Sequence, residues 1–303
     1  MRIAVTGKQG QVVSALIEVG PKLGVEVLPI GRPELDLLSP KTVLPALANL
    51  RPNLIVNAAA YTAVDQAEKE PEVAMAVNAS GAMAVADAAR TLSVPLVHLS
   101  TDYVFDGSKS TPYTEQDRVA PANVYGASKL AGEQAVTAGT RDHVIVRTAW
   151  VYSLYGKNFV QRMLTLAQNR DEVSVVADQY GCPTYAHDIA VGIVAIGRNL
   201  LDRPQYEQLR GIFHVACAGE TTWAGFASAI FESLRLLGKR IPKVTPITTA
   251  EYPTPARRPA NSRLDCSKLE RFHNVRLPSW RTSLVACLER LTNVSNNHDH
   301  NSR

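Results

Sequence analysis

The stretch RIAVTGKQGQVVSAL, residues 2–16, decides the fold. Residues 2–6 read as a short buried strand and 10–19 as a helix, with Gly7 and Gly10 in the turn between them. Glycine permits the tight turn there and lets backbone N–H groups approach a pyrophosphate at the positive end of the helix. The third small residue expected in such a turn is replaced by Val13, which holds helix and strand slightly apart. A plain strand-turn-helix has the same look, so the surrounding pattern carries the argument.

Outward from that turn, apolar runs alternate with helical segments. Strands are expected at 25–30, 54–58, 94–100 and 143–148, and helices at 43–50, 71–92 and from Tyr125 to about 136. Alternation of this kind implies an α/β fold, a doubly wound parallel sheet of the Rossmann type with helices on both faces. Residues 1–150 are expected to form the dinucleotide-binding domain. After Trp150 the pattern loosens into helices at 159–169, 186–198, 223–237 and 280–291, with strands at 173–177 and 211–216. Residues 151–292 are read as a smaller substrate-binding lobe, with the segment near 211–217 returning to the first domain. The Pro- and Arg-rich segment 247–265 reads as an ordered surface loop, and the polar tail 293–303 as disordered.

Of the 303 residues, 46% are hydrophobic and 20% charged, which suits a globular protein with a full core. No apolar run approaches the roughly 18 residues of a membrane span. Arg2 leads straight into IAVTG with no secretory leader, so a cytoplasmic location is expected. The net charge of +4 is mild and its basic residues are scattered, so no nucleic-acid partner is expected. Cys182, Cys217, Cys266 and Cys287 have no metal-ligand spacing and are read as reduced packing residues.

An NAD-binding strand at 25–30 should end in a carboxylate that holds the ribose hydroxyls. Here it ends in Gly31-Arg32. Arginine suits a 2′-phosphate, and Lys8 would add charge, so NADPH is expected, with NADH as the second choice; Arg32 also reads as an exposed loop charge. Asp36 and Leu37 follow where an adenine would sit. The third strand ends in NAAAYTAVDQAE, residues 57–68, whose small side chains leave room for a cofactor to cross.

Tyr125 and Lys129 in NVYGASKLAGEQA lie four residues apart, on one helix face. A fixed ammonium beside a phenol favours phenolate and should lower its pKa, which equips tyrosine for proton transfer to a sugar or alcohol oxygen. The fourth strand delivers LVHLSTDYVFDG, residues 96–107, at its carboxyl end, where open α/β sheets bind ligands. Thr101 can hydrogen-bond a carbonyl oxygen and Asp102 a sugar hydroxyl, although a Ser-Thr-Asp run is also an ordinary turn or cap.

Taken in order, TGKQGQ, NAAAYTAVDQAE, STDYVFDG and YGASK resemble the extended short-chain dehydrogenase/reductase superfamily, and within it the dTDP-4-dehydrorhamnose reductase family. RTAWVY, DQYGCPT, the TTW at 221–223 and YPTPARRPANSRLD extend the likeness to about residue 290. The resemblance implies NAD(P)H-dependent reduction of the 4-keto group of a dTDP-deoxysugar. Tyr125 would be the proton donor, Lys129 would bind the nicotinamide ribose, and Thr101 would polarise the carbonyl. Asp102 would contact substrate and Trp150 would pack on it. Gly10, Gln11 and Val12 would lie under the pyrophosphate, Asp36 and Leu37 near the adenine, and Ala60, Tyr61, Thr62 and Leu99 along the cofactor. Arg257, Arg258 or Arg263 would take the diphosphate, since a guanidinium fork suits phosphate, and a surface salt-bridge role is the equal alternative for these arginines.

Related sugar-nucleotide dehydratases resemble this pattern with Thr-Asp-Glu at the strand end. Tyr103 stands in place of that second carboxylate, which disfavours dehydration. Some members of the reductase family resemble magnesium-linked dimers held by glutamates. The matching positions here are Ala15 and His187, so no bridging metal is expected, and monomer and homodimer remain equal alternatives. A non-catalytic NADP-binding subunit of the methionine adenosyltransferase type, which resembles the same family, is the rival reading, and another sugar-nucleotide reductase or epimerase is the other alternative.

Overall fold

The computed structural model describes residues 1–300 apart from 237, with side chains described for residues up to 291. Five parallel strands, β1 (Arg2–Thr6), β2 (Glu26–Ile30), β3 (Leu54–Asn57), β4 (Leu96–Thr101) and β5 (His143–Thr148), are joined by a sixth, Gly211–His214, beside β5. The spatial order runs Gly211–His214, β5, β4, β3, β1, β2. Reversal of strand order between β1 and β3 opens a crevice at the carboxyl ends, the usual ligand position in such sheets.

Side-chain alternation explains why this sheet is covered on both faces. Ile3, Val5, Leu54, Val56, Val97, Val144 and Val146 enter one apolar cluster, while Ala4, Ile55, Leu96 and Ile145 enter another. A period of two with apolar residues in both registers is what a sheet buried on both faces requires. Helices Val43–Leu50 and Gly81–Leu92 cover the second face, with Val136 from the helix Val124–Gly139. Gln11–Lys22 and Ala186–Asp202 cover the first. Pro29 lies in β2, an edge strand, where a missing N–H is tolerated.

The first cluster continues from β1 to Leu284 and Leu288 of the final helix, so the later segments share a core with the sheet. Around it lie small sheets: Glu172–Val176 pairs with Lys243–Ile247, and Tyr180–Gly181 with both Thr221–Thr222 and Asn261–Ser262. Lys243–Ile247 and the helix Ser267–His273 are elements that the sequence reading did not assign. Within the loop expected at 247–265, Asn261–Ser262 pairs as a strand.

The helix expected at 71–92 is interrupted. Pro71–Met75 and Gly81–Leu92 are α-helical, and Ala76–Ser80 between them is a π-helical turn. Its Asn78 is buried and binds both backbone groups of Tyr61, accepting from N at 2.8 Å and donating to O at 3.0 Å. Asn78 also donates to Ser128 in the Tyr125 helix at 2.8 Å. The last helix runs Trp280–His300 rather than ending at 291. The expected tail, 293–303, falls outside the described side chains, and 301–303 outside the described residues altogether.

Candidate active site

The floor of the crevice is set by Thr6. Its hydroxyl donates to Asn57 at 2.7 Å and accepts from the amides of Ala58 and Ala59 at 3.1 and 3.0 Å, which locks the end of β3 to the end of β1. Gly7 has φ +99, a conformation that L side chains rarely adopt. Gly10 precedes the helix Gln11–Lys22, whose first amides receive no side-chain cap. Uncapped N–H groups at the positive end of a helix, beside half-buried Ala58, Ala59 and Ala60, suit a dinucleotide pyrophosphate. Val12 is buried in the core, and Gln11 reaches Val151 O at 3.4 Å.

Arg32 is exposed just past β2 and has no carboxylate partner among the described residues. Lys8, expected to add charge there, is instead paired with Glu34 at 2.6 Å. Asp36 accepts from Leu38 N at 3.0 Å, and Leu37 is buried in the second core cluster. Tyr61 donates to Glu70 at 2.8 Å, and Thr62 is exposed beside it.

Thr101, Tyr125 and Lys129 are brought together at the carboxyl end of β4. Thr101 hydrogen-bonds the Tyr125 phenol and donates to Asp102 at 3.0 Å. The helix Val124–Gly139 is aimed there by two caps. Asn123 accepts from Gly126 N at 2.8 Å, and Glu68, reaching across from the end of the 57–68 segment, accepts from Val124 N at 2.9 Å. Gly126 allows the helix to approach the turn just after β4: a Cβ there would run into Tyr103 O. The Tyr103 and Tyr125 rings meet edge to face at 5.5 Å.

The electrostatics correct one expectation. Burial pushes the Tyr125 phenol well above its ordinary value, the Thr101 hydrogen bond offsets part of that, and nearby Asp102 and Tyr103 add to it. Lys129 does not lower it. Its ammonium turns to the strand end and donates to Leu99 O at 2.6 Å, and burial brings its own pKa down to about 8. At neutral pH the phenol therefore keeps its proton, which fits a proton donor.

Of the three arginines, Arg258 is held by Asp65 at 2.7 Å, with its charge beside the Tyr103 phenol. Arg263 is held by Glu220 and by Asn261. Arg257 is exposed and, among the described residues, is the one of the three without a carboxylate partner. Trp150 takes φ +50 after β5 and stacks on Trp223 at 3.6 Å, so one indole face is covered by another indole rather than left open.

The comparisons with known proteins meet this geometry over almost the whole chain. Residues 1–293 match the model of the RmlD substrate binding domain. The dTDP-4-dehydrorhamnose reductase of Sinorhizobium fredii is 53% identical, over 93% of this chain and 95% of that relative. The chain belongs to the dTDP-4-dehydrorhamnose reductase family. Two solved dTDP-4-dehydrorhamnose reductases share its fold. The one from Clostridium acetobutylicum is 38% identical, with a TM-score of 0.88 over 96% of this chain and all of that one. The one from Bacillus anthracis, in complex with NADP, is also 38% identical, with a TM-score of 0.87 over 95% and 99% of the two chains.

Several residues of this family member's site were given no role from the sequence: Asn78, Trp223, Ser262, and the pair Glu133 and Arg147. A tryptophan directly after Thr221–Thr222 was one visible signal among them. Ser262, from the loop at 247–265, hydrogen-bonds Asp102.

Asp102 yields a stability prediction. Its carboxyl is buried, one oxygen lacks a partner, and burial pushes its pKa from 3.8 up to about 6 against hydrogen bonds from Ser262 and Thr101. Between those values the folded protein holds a proton that the unfolded chain has released. The contribution is therefore fully present below about pH 4 and lost as pH rises through about 6. Charged Asp102 costs about 3 kcal/mol at pH 8 on this basis. Asp102→Asn should melt higher than wild type at pH 8, with the gap closing toward pH 4. A gap independent of pH in thermal melts would refute the assignment.

Proposed function

We propose that this chain reduces the 4-keto group of dTDP-4-dehydro-L-rhamnose to give dTDP-L-rhamnose, with NADPH as reductant. The observation that carries the reading is the convergence of Thr101, Tyr125 and Lys129 at the end of β4, in a chain 53% identical to a dTDP-4-dehydrorhamnose reductase over nearly its whole length. NADPH bound in the crevice supplies the hydride.

Gly7, Gly10 and Gln11 hold the pyrophosphate at the helix N-terminus, and Arg32 faces the 2′-phosphate. Val12 supports that turn from below. Ala60, Tyr61, Thr62 and Leu99 flank the cofactor, and Asp36 and Leu37 shape the adenine end. Thr101 turns its hydroxyl from Asp102 to the keto oxygen, donates to it and polarises the carbonyl. Tyr125, held protonated by burial, gives its proton to that oxygen as charge develops there. Lys129 binds the nicotinamide ribose and keeps a positive charge beside the site. Asp102 takes a sugar hydroxyl, and the Trp150 edge bounds the sugar.

The substrate diphosphate goes to Arg257, whose guanidinium is free, rather than to Arg258, whose role becomes holding Tyr103 and Asp65 in place. Residues 1–150 with the strand Gly211–His214 act as the cofactor half, and the remaining later segments as the substrate half. A nucleotide-sugar substrate and a diffusible reductant place the reaction in the cytoplasm. Incubation of purified protein with dTDP-4-dehydro-L-rhamnose and NADPH deuterated at the transferring position tests the reading. Deuterium at C4 of dTDP-L-rhamnose, formed faster with NADPH than with NADH, is the expected result. No nicotinamide oxidation with this or any other keto-sugar nucleotide would overturn it.

A further inference from the structure

One helical turn beyond Lys129 lies a buried ion pair that the reaction as proposed does not use. Glu133 and Arg147 are each 2% exposed, inside the protein rather than on a solvated face. Arg147 Nε donates to Glu133 Oε1 at 2.8 Å and Nη2 to Oε2 at 2.6 Å, a two-pronged contact. Ser100 donates to the same Oε1 at 2.5 Å. Glu133 is thus clamped to both strands that carry the site.

Its place relative to the reacting groups is specific. Glu133 follows Lys129 by four residues, so the two side chains share one face of the helix Val124–Gly139. Ser100 immediately precedes Thr101, and Ser100 and Arg147 are paired neighbours in the register of β4 and β5. One carboxylate therefore touches the residue before Thr101, the strand beside it, and the helix turn after Lys129. Burying two charges is costly and frequently gives no net stability over an apolar pair, so a purely structural role explains the arrangement poorly.

We propose that Glu133 is a positioning residue for the reaction: clamped by Ser100 and Arg147, its carboxylate is the fixed negative charge one helical turn from the Lys129 ammonium at the end of β4. The groups facing Lys129 support this. From β4 come Leu99 O, which accepts from Nζ, and His98, which is buried and neutral. From its own helix come Tyr125, held protonated, and Glu133. Asn78 of the π-helical turn, packed on the same helix through Ser128, brings no charge. Burial drives Lys129 toward losing its proton, and Glu133 is the charge that opposes this. Arg147, from β5, faces Glu133 and balances it, with its remaining Nη1 unpartnered and its guanidinium over the Phe105 ring at 5.1 Å.

The inference rests on the reading of the site as a reductase that needs Lys129 charged. The rate should then fall on the alkaline side as pH passes about 8. In Glu133→Gln that limb of kcat/KM should move to lower pH by on the order of one unit, with most of the lost rate recovered at pH 6. Because the single variant leaves Arg147 buried without its carboxylate, Glu133→Gln/Arg147→Met is measured beside it and should shift the limb in the same direction. A role in packing alone predicts an equal loss at every pH and an unmoved limb, which would overturn the proposal. Titration of the Lys129 amine by NMR on lysine-labelled protein gives a second readout that needs no substrate. A lowered midpoint in Glu133→Gln, alongside wild-type protein inert toward keto-sugar nucleotides, would sink the reductase reading and leave only the coupling of Glu133 to Lys129 standing. An unchanged midpoint in protein whose parent is active would sink the inference alone.

Discussion

Tyr125→Phe should reduce turnover by about 10² or more while leaving NADPH affinity near that of wild type. The change removes one oxygen and keeps the ring, so the edge-to-face contact with Tyr103 at 5.5 Å survives. The packing of the helix N-terminus is also untouched, because Asn123 and Glu68 cap its backbone rather than the phenol. What disappears is the proton that burial keeps on the phenol at neutral pH and the hydrogen bond shared with Thr101. Thr101 alone can still polarise a carbonyl, so a residual rate is expected. Steady-state kinetics and a nicotinamide fluorescence titration measure the two halves of this statement. Turnover within about threefold of wild type would remove Tyr125 from its role.

Arg147→Leu should be the most destabilising of the substitutions considered, by about 3–5 kcal/mol. The leucine fills part of the volume, but Glu133 is left as a buried carboxylate held by Ser100 alone. A protein with about 5–15 kcal/mol of total stability loses a large share of it in that step. Adding Glu133→Gln removes the stranded charge and should restore most of the loss, since an uncharged buried pair has no ion to desolvate. Denaturant unfolding of wild type, single and double variants forms the cycle. A loss below about 1 kcal/mol in Arg147→Leu would mean that water or another group reaches Glu133.

The order of elements in the nucleotide-binding half was legible because it rests on period. Apolar runs such as Leu54–Asn57 and His143–Thr148, alternating with helical segments, suit a parallel sheet buried on both faces, and the glycine turn at residues 7–10 fixes where the helix begins. The π-helical turn at Ala76–Ser80 was not legible, since one inserted residue barely disturbs a helical pattern. Lys243–Ile247 escaped because Pro246 reads as a breaker, yet this strand pairs along one side only, with Glu172–Val176, where a proline costs little.

The site shows the same division. A spacing of four residues puts Tyr125 and Lys129 on one helix face, but it does not say which acceptor the lysine takes. Leu99 O took it, and the expected lowering of the phenol pKa by Lys129 is absent. Charge in sequence suggests surface, so Glu133 and Arg147 were passed over. The available signal was an arginine inside an otherwise apolar strand, and a carboxylate one helical turn after Lys129. Arg258 was legible as a cation near the site but not as Asp65's partner, because the two lie 193 residues apart in the chain.

The central claim is that Thr101, Tyr125 and the hydride-bearing carbon meet at one sugar atom. A crystal structure of the protein with NADP⁺ and dTDP-L-rhamnose measures this directly. The account predicts the Tyr125 and Thr101 hydroxyls both within about 2.6–3.2 Å of the sugar O4, with nicotinamide C4 about 3–3.5 Å from the sugar C4. A sugar bound with O4 turned to other side chains, or a nicotinamide seated away from the end of β4, would contradict it.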